Sequence, residues 1–323
     1  MKHNLNMRVR NVCDSVKSYY GRYDAGQSVF AANLVNATIQ ELFRYEYPTT
    51  RWANGDLIDF RTDIDRGALT YQYGQVGSVG SGEPGAEGIV AHNATDIPEV
   101  DLNGEFPVGR IHTLACSFSF SEQDLDSARL QGMFDMAAEK ARAAKEKHDR
   151  DLNALIAFGS ASHALEGITN GTGITVLPAT TGNWATATAL QITNDFSAAY
   201  DLMVASTGGV EEPDTAVLAP SIHARLMGLQ NSIASDVSVL TYLSEQYGIK
   251  FEKEASMSLA DGAGGNAMLL YRKDRTKVSA VMPLYLEPTP PQFQGLVTKV
   301  VLRSRFGGVM IPRPLSILRL DGI

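Results

Sequence analysis

The chain has 323 residues, 44% of them hydrophobic and 20% charged, so it can bury a sizeable core and is not disordered as a whole. A net charge of −8 argues against a dedicated nucleic-acid binder, whose affinity would come from neutralising phosphates. No apolar run reaches the roughly 18 residues of a membrane span, and the amino terminus lacks the apolar core of a secretory signal. Two cysteines, Cys13 and Cys116, suit a reducing compartment. The expectation is a soluble protein made in the cytoplasm.

Ala31, Val35, Ile39 and Leu42 fall at helical spacing, Phe30 and Leu34 widen the stripe, and Pro48 ends it. From Trp52 to about Phe118, glycines together with Pro84, Pro98 and Pro107 leave room only for short strands. The best candidates are 68–73, 89–91 and 111–118. Such a stretch cannot make its own core, and its backbone donors and acceptors need partners, so it reads as an extended hairpin-like arm. Ser121 and Asp124 then fit a helix-start box. From there to Phe158 the segment holds no proline and one glycine, Gly132, which predicts a long spine helix with a face of mostly small residues that includes His148.

Gly159 ends the spine, and 165–170 opens a region of alternating strands and helices. A helix runs through Ile192, Phe196, Ala199 and Met203, with Thr193 or Asn194 as its cap. A buried strand is expected over 215–219, a short helix from Pro220, and another marked by Val237, Leu240, Leu243 and Tyr247 and closed by Gly248. A glycine-rich loop covers 261–266, and the remainder is strand-rich. In 298–306, Val300, Leu302 and Phe306 face one way while Lys299, Arg303 and Arg305 face the other.

Several chemistries can be tested against this pattern. Gly80, Gly82 and Gly85 spell G-x-G-x-x-G after a strand-like segment, but a dinucleotide loop needs a helix behind it. Gly88, Pro98, Gly104 and Pro107 leave no room for one, and Pro84 removes a backbone donor from the turn. No cofactor is expected. The histidines show no metal-ligand spacing. Asp63 and Asp65 begin like a calcium loop, but Gly67 comes one position early and Gly74 stands where the bidentate glutamate belongs. No nucleophile elbow or phosphate-loop lysine occurs, so no catalytic or metal site is expected. The mixed charges of 139–151 form a solvated helix face, or else a surface for nucleic acid or a neighbouring subunit. The Lys299, Arg303 and Arg305 stripe invites the same readings. Subunit contact is favoured there because arginine pairs well with carboxylates.

The order of parts, an amino-terminal arm, a glycine-rich hairpin, a spine helix, a mixed region and carboxy-terminal strands, resembles the major capsid protein of tailed bacteriophages with the Hong Kong 97-type fold. Matching pieces are Asp96-Ile-Pro98, Phe118-Ser-Phe-Ser-Glu-Gln-Asp-Leu125, Leu165-Glu-Gly-Ile-Thr-Asn170, Arg305-Phe-Gly-Gly-Val309 and Leu320-Asp-Gly-Ile323. The resemblance implies an α+β chain with an N-terminal arm at 1–51 and an extended loop (E-loop) at 52–118. It further implies a peripheral domain at 119–160 and 280–323 and an axial domain at 161–279. It implies hexamers and pentamers closing into an icosahedral shell around double-stranded DNA, with portal, scaffolding and decoration proteins as partners. Gly80, Gly82 and Gly85 would lie toward the distal part of the E-loop, and Gly262 and Gly264 in a loop at the capsomer centre. Trp52, Tyr71, Tyr73 and Arg110 are candidate inter-subunit residues, since interfaces are rich in aromatics and arginine. Some relatives cross-link through an E-loop lysine. No lysine occurs from 18 to 139, so a shell held by non-covalent contacts or a decoration protein is expected. The short arm points to a separate scaffolding protein. The alternatives are an encapsulin-like nanocompartment shell, a tail or adaptor component, and a soluble nucleotide-dependent enzyme.

Overall fold

The computed structural model describes residues 46–80, 100–124, 126, 136–232, 235–262 and 264–323. The chain divides into two compact units, Met1–Glu46 and Tyr47–Ile323, and apart from Glu46 the described residues belong to the second. The helix expected over 30–42 and the strand expected at 89–91 lie outside them.

The strands before the first long helix are β1 (Asp59–Arg61), β2 (Thr70–Gln72), β3 (Gln75–Gly80), β4 (Val100–Glu105), β5 (Val108–Arg110) and β6 (His112–Ser121). Helix α1 (Met136–Phe158) follows, then β7 (Thr175–Pro178), α2 (Ala189–Ser206), β8 (Thr215–Leu218) and α3 (Pro220–Gly228). Next come β9 (Gln230–Ser232), β10 (Ser235–Ser238), α4 (Val239–Tyr247), β11 (Lys250–Lys253), β12 (Ala267–Tyr271) and β13 (Ser279–Val281). The chain ends with β14 (Leu284–Pro288), β15 (Gln292–Gln294), β16 (Val297–Phe306), β17 (Val309–Met310) and β18 (Ile317–Asp321).

The main core surrounds a five-stranded mixed sheet ordered β11-β8-β12-β18-β7. Every residue of β8 and β12 is buried, the continuous burial of strands covered on both faces. Phe196, Met203, Ile222, Leu226 and Leu243 from α2, α3 and α4 belong to the same core. The expected helix through Ile192 is α2, but its cap is Thr188, earlier than Thr193 or Asn194. Thr188 and Gln191 form a reciprocal capping box, so two backbone donors are satisfied together. Pro220 occupies the first turn of α3, and Gly248 closes α4 at φ +67°.

A second sheet joins β14, β16 and β15, with β6 paired to β16 along all ten residues. One face carries Leu302, Ser304 and Phe306, all buried, and α1 packs on β6. His148 Nε2 lies 2.6 Å from Ser304 Oγ, and Cys116 Sγ approaches the Ala144 carbonyl at 3.4 Å. His148 is therefore a buried link between helix and sheet. The Ser121 box forms as expected: Asp124 N–H donates to Ser121 Oγ at 3.1 Å, and Ser121 N–H donates to Asp124 Oδ2 at 3.3 Å.

The far end of α1 explains the segment 165–170. The orphan carbonyls of a helix C-terminus need donors. Ile156 O accepts from Ile168 N–H (2.8 Å), Ala157 O from Thr169 N–H (3.1 Å) and Thr169 Oγ1 (2.7 Å), and Phe158 O from Asn170 Nδ2 (2.7 Å). Val309 N–H donates to Glu166 O at 3.0 Å, which ties the same cap to β17.

Candidate assembly surfaces

Strands β3 and β4 form a hairpin arm in register from Gln75↔Glu105 to Gly80↔Val100, and no third strand joins it among the described residues. Alternation puts Val76 and Leu102 on one face and Gln75, Asn103 and Glu105 on the other. Both faces meet solvent: Val76 is 68% exposed and Leu102 70%, Asn103 and Glu105 on the other face are exposed, and Phe106, just after β4, is 68% exposed. Apolar side chains so exposed on a two-stranded ribbon cannot stabilise it in isolation.

The root of this arm is clamped to its own subunit. Strand β2 pairs with β5, bringing Tyr71 against Gly109, and Tyr71 Oη donates to the Gly307 carbonyl at 3.1 Å. Gln75 Nε2 donates to the Pro312 carbonyl at 2.7 Å. Tyr71 and Tyr73 stack with centroids 6.3 Å apart. Burial, and secondarily the neighbouring Tyr73, raises the Tyr71 phenol to about 12. A Cβ on Gly109 would lie 2.2 to 2.5 Å from the Tyr71 ring. Gly109→Ala is expected to displace that ring, cost about 1–3 kcal/mol and speed cleavage of the arm under limited proteolysis. An unchanged cleavage rate would rule out this clamp.

The residues singled out from sequence separate clearly. Trp52 is not on a surface: it is 0% exposed, within its own core. Trp52 and Ala53 N–H donate to Asn153 Oδ1 of α1 at 3.0 and 3.3 Å, and Trp52 Nε1 donates to Ser256 Oγ at 3.0 Å. Its ring lies 6.4 Å from that of Tyr271. An aromatic this large with a satisfied N–H is a core anchor, which corrects its assignment to an interface. Tyr71, Tyr73 and Arg110 cluster at the arm root, where only Arg110 is exposed. Gly80 ends β3, and Gly82 and Gly85 lie outside the described residues. Gly262 and Gly264 are exposed in a turn closed by Asp261, whose carbonyl accepts from Gly264 N–H at 3.2 Å, with Gly264 at φ +87°. Lys299, Arg303 and Arg305 share the face of β16 turned away from Leu302 and Phe306.

Sequence reasoning missed two buried polar nodes. Asn153 Nδ2 donates to Glu254 Oε1 at 2.9 Å, and burial pushes the Glu254 carboxyl up. Glu211 is buried against Lys277 and Arg313. A polar residue inside the apolar stripe Leu152, Ile156 was the one available signal, and it applied only to Asn153.

Among the described residues no group of three or more histidine, cysteine or acidic side chains could hold a metal ion. One cleft of about 350 Å³ is lined by Asp56, Asp214, Lys250, Glu252 and Lys273 among others, and one of about 170 Å³ lies at the arm root beside Tyr71 and Glu166. Gly74, Gly77 and Gly80 line neither. No described helix is long and apolar enough to cross a membrane.

Residues 85–323 match the family model for the major capsid protein. The chain belongs to the major capsid protein family. Among solved structures this capsid protein is similar to the capsid of Myoviridae phage XM1, with a TM-score of 0.79 and 17% identity over 90% of this chain and 98% of that one. Mycobacterium phage Bobi gives 0.63 and 12% over 93% and 100% of the two chains. The holo-SrpI encapsulin complex from Synechococcus elongatus gives 0.58 and 14% over 91% and 95%. A search of curated proteins found no match. At these identities the likeness gives the fold, the Hong Kong 97 type. Membership in the family makes the capsid protein a structural, self-assembling component of the virion capsid.

Proposed function

We propose that this capsid protein assembles as hexamers and pentamers into a closed icosahedral head around double-stranded DNA. The observation that carries the reading is the hairpin arm, which exposes Val76, Leu102 and Phe106 on a capsid-family fold and needs a neighbour to cover them. Closed symmetry repeats a modest contact many times, so shell strength comes from multiplicity. In this reading 1–51 is an arm, 52–118 the E-loop, 119–160 with 280–323 a peripheral domain, and 161–279 an axial domain whose Gly262–Gly264 turn faces the capsomer centre. A separate scaffolding protein, a portal and a decoration protein complete the head, which assembles in the host cytoplasm.

Electron microscopy of the protein expressed with its scaffold tests the reading. Closed, DNA-containing shells are expected after packaging. Small soluble species of one or two chains would refute it, and shells enclosing protein cargo in place of DNA would favour the nanocompartment. The same particles, boiled and run on a denaturing gel, should give one monomer band, because no lysine lies between 18 and 139. A ladder of covalent multimers would contradict the non-covalent shell.

A further inference from the structure

Asparagine followed by glycine is a chemically labile pair, because no Cβ on the second residue shields its nitrogen from the asparagine side chain. The sequence holds three such pairs, Asn54-Gly55, Asn103-Gly104 and Asn170-Gly171. The fold treats them differently. Asn170 is locked: its Nδ2 donates to Phe158 O at 2.7 Å and its Oδ1 accepts from Gly167 N–H at 2.9 Å, so the side chain is held at the end of α1 and away from Gly171. Asn103 is exposed, but it and Gly104 pair with Gly77 and Val76, and the ladder holds the backbone extended.

Asn54 has neither restraint. It lies exposed in the turn 51–55, and its side chain makes no hydrogen bond among the described residues. The residues on either side are anchored. Trp52, Ala53, Leu57 and Ile58 belong to the core, and Tyr271 Oη donates to the Leu57 carbonyl. Gly55 sits at φ +81°, and a Cβ there would lie 3.2 Å from the Phe60 ring. The fold therefore calls for the same glycine that leaves Asn54 unprotected. One bond opposes reaction, from Gly55 N–H to Trp52 O, and at 3.2 Å it is at the long end of the normal range.

We propose that Asn54 is a site of spontaneous deamidation in the unassembled subunit. Base removes the Gly55 amide proton, and the nitrogen attacks Asn54 Cγ. An N–Cγ bond forms, the Cγ–Nδ2 bond breaks and ammonia leaves, giving a cyclic succinimide. Water then opens either carbonyl–nitrogen bond of the ring, leaving aspartate or isoaspartate. No oxidant, metal or enzyme is needed. Isoaspartate routes the main chain through the side-chain carbon, lengthening it by one atom. It does so inside a turn held by Asn54 N–H to Thr50 O at 3.1 Å and Asp56 N–H to Arg51 O at 3.2 Å. Either product adds a carboxylate to 51–56, whose only cation, Arg51, already faces Asp56 at 3.8 Å and Glu252 at 2.8 Å. The reaction thus marks the age of a segment that packs in the core.

The test incubates the full-length unassembled subunit at mildly alkaline pH, folded and in denaturing urea. Conversion is read by peptide mass mapping and by enzymatic methylation of isoaspartate. In the folded subunit Asn54 is expected to convert at least about tenfold faster than Asn170, whose side chain must first give up two hydrogen bonds. It should also outpace Asn103. In urea the three sites should convert at similar rates, since glycine follows the asparagine in each. Lower pH should slow Asn54, because the attacking nitrogen must lose its proton. Asn54→Gln, whose longer side chain would have to close a larger ring, should remove most of the isoaspartate signal of the folded subunit. The proposal is overturned if Asn54 converts no faster than Asn103 or Asn170, or if the same ranking and spread of rates persist in urea. An isoaspartate signal undiminished in Asn54→Gln overturns it as well.

Discussion

Replacing Glu211 with alanine lowers the stability of the unassembled subunit by about 3–5 kcal/mol at neutral pH, measured by denaturant melting. Glu211 lies in the turn after α2, its side chain only 4% exposed, and its carboxylate bonds Lys277 Nζ and, at 2.9 Å, Arg313 Nη1. Three segments distant in sequence are joined there. Lys277 is 13% exposed, so removing the acid strands a largely buried cation, whereas Arg313 is 60% exposed and finds water instead. Most of the cost therefore belongs to Lys277. Burial alone would raise the Glu211 carboxyl, but the hydrogen bonds from Lys277 and Arg313 outweigh it and hold the group below the usual carboxylate range. A lowered folded value means the contribution is complete above the unfolded carboxylate value of about 4.3 and disappears as pH falls through the folded one. The parent should thus lose stability in acid while the variant's curve stays flatter across the same window. Equal acid limbs in the two proteins would show that Glu211 does not carry this dependence.

Gly167→Ala should cost about 3 kcal/mol or more, with loss of soluble subunit on expression at 37 °C an acceptable readout of the same defect. A Cβ at this position would lie 2.4 Å from Gly159 N and 2.5 Å from both Ala157 O and Phe158 C. These are backbone atoms at the end of α1, so no rotamer change relieves the overlap. Gly159 is equally constrained: it sits at φ +63°, and its own Cβ would lie 2.3 Å from Leu165 O. The two glycines let the chain cross the helix end closely enough for 168–170 to cap it. Gly182→Ala is the control, since nothing stands within 4 Å of its Cβ position, although its φ of +73° makes some backbone strain unavoidable. A Gly167→Ala subunit as stable as this control would mean that the crossing is looser than described.

How much of this was legible beforehand depended on range. The strand over 298–306 was readable because its alternating side chains report two faces within ten residues. The start of α3 at Pro220 and the stop of α4 at Gly248 were readable because a missing N–H and a left-handed φ act on the residue itself. The cap of α2 was misplaced by several residues, because several threonines and an asparagine compete locally and only the reciprocal bond with Gln191 decides. Trp52 was misassigned because its aromatic character fits an interface and a core equally well. Its hydrogen-bond partners, Asn153 and Ser256, lie 101 and 204 positions away.

The arm's lack of lysine and its inability to form a core are properties of composition, and the sequence determined them without help. The two-faced strand and the part of the spine helix over Met136–Phe158 were legible too, because periodicity is local, while 127–135 of the expected helix lie outside the described residues. Which surfaces those features meet was decided by tertiary structure. Only the pairing of β16 with β6 sets Lys299, Arg303 and Arg305 beside a row of small exposed residues, and only the meeting of three remote segments buries Glu211. The physical reason is the same in each case: burial and electrostatics depend on distances in space, and chain neighbours fix those distances over no more than a turn or two.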